Sequence, residues 1–105
     1  VAKKRYPIVW TAKARADLRK VYDYLCDHAD ADKALGMVNA ILDKASILSS
    51  GSSLGQREPF LVKLKREYRR LIIKDYKIIY SFRKNTIYIH CVFDSRQNPK
   101  LMKVK

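Results

Sequence analysis

Residues 68–93 read YRRLIIKDYKIIYSFRKNTIYIHCVF. Three runs of β-branched and aromatic residues stand out in it: Tyr68–Ile73, Tyr76–Phe82 and Thr86–Phe93. Each is the length of an ordinary strand. Lys74–Asp75 and Lys84–Asn85 lie between them, and such short polar pairs fit tight turns because Asp and Asn tolerate a left-handed backbone. The stretch therefore predicts an antiparallel meander of three strands.

Upstream, Ser49–Gly55 is the one clear loop, with four serines and two glycines. Before it the hydrophobic period changes from two to 3.6 residues. Ala14, Leu18, Val21, Tyr22 and Leu25 fall on one face of a predicted helix over residues 12–27, with Thr11 placed to cap it. A second helix is predicted over 31–48, with Ala34, Leu35, Val38, Ile41, Leu42, Ala45 and Leu48 on its apolar face. The joint His28–Ala29–Asp30 is too short for anything but an antiparallel helical hairpin. Gly36 inside the second helix costs about 1 kcal/mol relative to alanine, and close helix–helix approach would be one reason to tolerate it. Tyr6–Trp10 reads as an additional strand, with Pro7 at its start. The order is β-α-α-β-β-β, an α+β fold in which two antiparallel helices pack on one face of a mainly antiparallel four-stranded sheet.

The chain has 105 residues, 48% of them apolar, which suits one modest core and one domain over residues 1–105. No apolar run approaches the roughly 20 residues that span a bilayer, so a cytoplasmic protein without a membrane partner is expected. Cys26 and Cys91 lack any paired metal or disulfide spacing and read as small core residues. No phosphate-binding loop, dinucleotide fingerprint, zinc-ligand spacing or nucleophile elbow is present, so neither a cofactor nor a metal is expected. The net charge is +13, and it is uneven: residues 1–20 contribute +6, residues 21–50 contribute −3, and residues 51–105 contribute +10. An excess of this size attracts polyanions or an acidic protein, and the second half should carry the working face.

Side-chain parity sorts that half. On the first meander strand Tyr68, Arg70 and Ile72 share a side. On the second, Ile78, Tyr80 and Phe82 are assigned to the core, leaving Lys77, Ile79 and Ser81 opposite. On the third, Ile87, Ile89, Cys91 and Phe93 are assigned to the core, leaving Tyr88, His90 and Val92 opposite. An uncovered sheet face would then present Arg70, Lys77, Tyr88 and His90, with Arg96 just beyond it. Cations and aromatics so placed can hold phosphates and stack on bases. Arg69 completes the candidate target-binding set. Most other cations, among them Lys3, Lys4, Lys13, Lys20, Lys100, Lys103 and Lys105, read as solvated charges. His90 reads first as a satisfied strand histidine, and His28 as a helix C-terminal cap.

Three segments resemble the RelE/ParE superfamily of type II toxins. They are Thr11–Leu18 with Val21–Leu25, then Tyr68–Tyr80, then Val92–Pro99, and the likeness runs from Tyr6 to about Met102. The resemblance implies a growth-inhibiting, plasmid-stabilising toxin that a cognate antitoxin wraps and neutralises. It admits two activities. RelE-like members cleave mRNA on the ribosome without a metal, and Arg70, Lys77 and Arg96 match the cations these use around the scissile phosphate, with His90 a further candidate. ParE-like members poison DNA gyrase. Lys77 stands where arginine is common, and Gln97–Met102 offers no tyrosine or histidine for proton transfer. The long helical hairpin and the first-helix pattern look ParE-like, so gyrase is the favoured target, with an mRNA endoribonuclease or a decayed toxin that only binds its antitoxin as alternatives.

Overall fold

The computed structural model describes residues 5–51 and 55–104. Ser52–Leu54 of the predicted loop, and Lys3, Lys4 and Lys105, lie outside the described residues. Strand β1 (Ile8–Trp10) leads into helix α1 (Ala12–His28) and helix α2 (Ala31–Ser46). The two-residue strand β2 (Gln56–Arg57) follows, then β3 (Arg69–Ile73), β4 (Tyr76–Arg83) and β5 (Thr86–Asp94). The sheet order is β1-β5-β4-β3-β2, with β1 parallel to β5 and every other pair antiparallel. The sheet thus has five strands rather than the expected four. β2 is too short and too polar to show a strand period, and backbone pairing with Arg69 and Arg70 alone defines it.

Local chemistry accounts for the boundaries. The Thr11 hydroxyl accepts from the Ala14 amide at 3.2 Å and starts α1, and Asp30 does the same for α2 through the Lys33 amide at 2.7 Å. The turn residues Lys74, Lys84 and Asn85 have φ of 52°, 51° and 58°. The left-handed backbone foreseen for Asp75 thus falls on Lys74 instead, while Lys84 and Asn85 together give the doubly left-handed hairpin turn.

The hairpin covers the sheet through Ala14 and Val21 of α1, Ile41 and Ala45 of α2, and Leu48 in the 3-10 turn (Ile47–Ser50) that follows it, packed on Leu71, Ile78, Tyr80, Ile87 and Ile89. Ile41, Leu48, Ile78, Ile87 and Ile89 are fully buried, each contributing roughly 1.5–3 kcal/mol. Leu35 and Leu42, expected on the buried face of α2, are exposed, because only the Ala34–Ile41–Ala45 side of the helix turns inward. Gly36 does not mark a close approach either: a Cβ built there meets nothing within 4 Å.

A β-bulge changes the parity reading. Ile79 pairs with Cys91 and Tyr80 with Ile89, so His90 is the extra residue on β5. Beyond it each side chain changes face. Cys91 and Phe93, assigned to the helix side, lie on the outer side, and Val92 joins the helix-side core. Phe82 is exposed at the end of β4, edge-on to Tyr6 at 5.1 Å. Nor is the outer face free. Leu61, Tyr68, Ile79, Cys91, Phe93 and Met102 form a second buried cluster there, with Val104 against it. The segment after β2 and the C-terminal strap supply the cover.

Candidate functional site

The cations read as a phosphate-binding set are split: Arg70 and Lys77 meet on one buried carboxylate, and Arg96 stands apart from them. Lys77 is buried, and its Nζ donates to Glu58 Oε1 at 3.0 Å. Glu58 has no solvent exposure, accepts from the Phe60 amide at 2.9 Å, and lies 3.8 Å from an Arg70 guanidinium nitrogen. Phe60 lies over the Lys77 ammonium at 5.1 Å. Arg70 also donates to Gln56 Oε1 at 3.4 Å, while its buried Nε has no hydrogen-bond partner among the described residues. Arg69 bonds Glu67 at 2.7 Å and the Gly55 carbonyl at 2.7 Å. Three of the predicted target-binding cations are therefore held by carboxylates and backbone around β2 and β3. Gly55 has its own constraint: a Cβ would collide with the Tyr80 hydroxyl and the Arg70 carbonyl.

His90 sits at the bulge, 7% exposed, with Nε2 2.6 Å from the Ser81 hydroxyl and its ring edge-on to Tyr68 at 5.2 Å. Burial, with Arg66 and Arg83 nearby, pushes its proton affinity below the usual histidine range, against a backbone hydrogen bond to Val104 that acts the other way. The satisfied-histidine reading fits this geometry better than the proton-shuttle one. Tyr88 is half-buried on the same face, with the Arg83 guanidinium 5.3 Å from its ring centre. The Cys91 thiol, buried beside them, is pushed up to about 12 and is no nucleophile at neutral pH.

Arg96 is elsewhere. It grips Asp94 through Nε at 2.9 Å and a terminal nitrogen at 2.7 Å, and reaches Asp75 at 3.7 Å. That hydrogen bond holds the Asp94 carboxyl below its ordinary range. Arg96 stands on the rim of a groove of about 660 Å³ between α1 and the ends of β4 and β5. The walls are Val21, Tyr24, Tyr76, Val92 and Leu101, and Lys13 and Lys20 lie along the α1 side. At its base Asp17 accepts from Lys13 Nζ at 2.8 Å and from the Val92 amide at 3.0 Å. β1 ends at Trp10, so beyond Ile89 the free edge of β5 is met instead by Thr11, which donates to the Ile89 carbonyl, and by Asp17.

Asp17 and Glu58 were not foreseen. Glu58 is one of only four acids after residue 50, and such an acid amid fourteen cations was the available signal. Asp17 had a fainter one: the lone acid among the first 20 residues, at i+4 from Lys13. Among the described residues no three His, Cys, Asp or Glu side chains converge as a metal site.

The helical hairpin laid over an antiparallel meander with a parallel first strand is shared with a solved ParDE structure, and with the family match it puts the chain in one class, the RelE/ParE superfamily of type II toxins. Within it the chain belongs to the family described as ParE toxin of type II toxin-antitoxin system, parDE, whose model matches residues 8–99. A solved structure titled "Chromosomal ParDE TA system from P. aeruginosa" is similar in fold, with a TM-score of 0.74 over 87% of this chain and 97% of that one. Sequence identity to it is 22%. No curated protein matches the chain in sequence.

Proposed function

We propose that this ParE-family toxin acts on DNA gyrase as a binding poison, without bond-breaking chemistry of its own, and that its antitoxin silences it by laying an acidic amphipathic segment in the α1–sheet groove. The observation that carries the target reading is Glu58. A nuclease of the RelE-like kind needs cations aimed at a phosphate. Here Lys77 and Arg70 are turned onto a fully buried carboxylate instead. Proton transfer lacks a poised group as well, since His90 is buried against Ser81 and its proton affinity is lowered.

The groove supports the antitoxin reading on two counts. Tyr24, Val21 and Leu101 offer apolar surface to one side of a helix, and Lys13, Lys20 and Arg96 offer charge to acids on its other side. Gyrase supercoiling and cleavage of ribosome-bound mRNA, each assayed with purified toxin, test the target. Loss of supercoiling with intact mRNA is the expected result. Cleaved mRNA with undisturbed gyrase would reverse it.

A further inference from the structure

The second half of the chain holds four acids, and each has a partner. Glu58 takes Lys77 and Arg70, Glu67 takes Arg69, and Asp75 and Asp94 take Arg96. The remaining cations of that half have no ion pair among the described residues. Four of them, Arg66, Arg83, Lys84 and Lys103, are exposed. Parity places Arg83 on that face with Lys77, Ile79 and Ser81. Arg66 and Arg83 both lie near enough to His90 to disfavour its protonation. Lys103 lies between Met102 and Val104, which pack on the outer cluster. Lys84 sits in the β4–β5 turn beside Arg83. Tyr88 on the same face is half-exposed, with the Arg83 guanidinium 5.3 Å from its ring.

We infer that this outer-face patch, Arg66, Arg83, Lys84 and Lys103 with Tyr88, binds single-stranded nucleic acid. Unpaired cations supply phosphate contacts, and release of condensed counterions makes each worth more at low salt. The half-exposed Tyr88 ring, with the Arg83 guanidinium lying over it, offers a base a planar stacking platform that a duplex, with its bases already stacked, does not use. An acidic peptide would exploit the charges but leave Tyr88 idle. The site does not depend on the groove, which lies on the helix side of the sheet, and it stands whether or not the toxin acts on gyrase.

The test is fluorescence anisotropy with labelled oligothymidylate, a labelled duplex of equal length, and polyglutamate as competitor. Wild type should prefer the single strand, with affinity falling as salt rises. Arg66→Glu/Arg83→Glu should weaken binding about tenfold or more at low salt and flatten the salt slope by about 1.4, at roughly 0.7 per phosphate contact for a single strand. Lys20→Glu/Lys33→Glu on the helices changes the net charge equally and should weaken binding far less. Tyr88→Leu should lose about tenfold with an unchanged salt slope, as loss of stacking predicts. Circular dichroism confirms that each variant is folded. Equal losses from the two charge-reversal pairs would overturn the inference, and so would polyglutamate competing as well as unlabelled oligothymidylate or a duplex binding as tightly.

Discussion

Under the outer face, Lys77 and Arg70 close on Glu58, which has no solvent exposure; at the groove, Arg96 grips Asp94 with more than half of its own side-chain surface open. Both are cation–carboxylate clusters, and both stand at positions where the superfamily resemblance places functional cations. Burial separates them. Removing one partner of a buried pair strands a charge away from water, at a cost of about 3–5 kcal/mol. Removing one partner of an exposed pair leaves the other hydrated. The first cluster is thus a structural fastening between β3, β4 and the segment after β2, and the second remains available to a partner.

Breaking the buried cluster should give the largest effect. Lys77→Ala should destabilise the protein by about 3–5 kcal/mol in urea unfolding, because Glu58 keeps only the more distant Arg70. A loss under 1 kcal/mol would show that the cluster is not a fastening.

Asp17→Ala at the floor of the groove should follow, with a loss of about 1.5–3 kcal/mol. The carboxylate joins Lys13 to the Val92 amide, and its removal leaves that buried amide unpaired. Hydrogen exchange should quicken first at Val92 if this is the cause.

His90 adds a pH dependence to the outer face. Its proton affinity is lowered in the folded chain, so below the ordinary value of 6.5 the unfolded chain takes up the proton first. Stability contributed by the neutral ring is therefore complete above pH 6.5 and falls on acidification, until the folded ring also protonates. The slope cannot exceed about 1.4 kcal/mol per pH unit for one proton. Urea unfolding between pH 7 and 5 measures it, and His90→Gln should flatten it.

Arg96→Ala should have the smallest effect on folding, a thermal midpoint close to wild type, while weakening antitoxin binding most at low salt. A large drop in the midpoint would place Arg96 with the structural group and erase the contrast.

The contrast was only half legible in the sequence. Period and turn chemistry placed both helices and all three meander strands, because those signals are local: Thr11 and Asp30 cap their helices whatever lies across the fold. What parity could not show was the bulge at His90, where one extra residue reverses the face of Cys91, Val92 and Phe93 without any mark in composition. The outer cover was hidden for a similar reason. Leu61, Met102 and Val104 come from segments with no period of their own, and they act only once brought over the sheet. The candidate site inherited both errors. Arg70 and Lys77 were rightly placed on the outer side, yet what they face is Glu58, a partner from a segment that the periodicity left blank.

The central claim is that Lys77 serves the fold and not catalysis, and replacing the pair together tests it most directly. Glu58→Gln/Lys77→Met removes the closer pair while keeping an acceptor for the Phe60 amide, so the stranded carboxylate that makes Lys77→Ala costly is absent, and Arg70, partly exposed, keeps Gln56 as a partner. Wild type and the folded double variant should both inhibit gyrase supercoiling, and both should leave ribosome-bound mRNA uncut. A wild type that cleaves mRNA, beside a folded double variant that does not, would contradict the account and return Lys77 to the scissile phosphate.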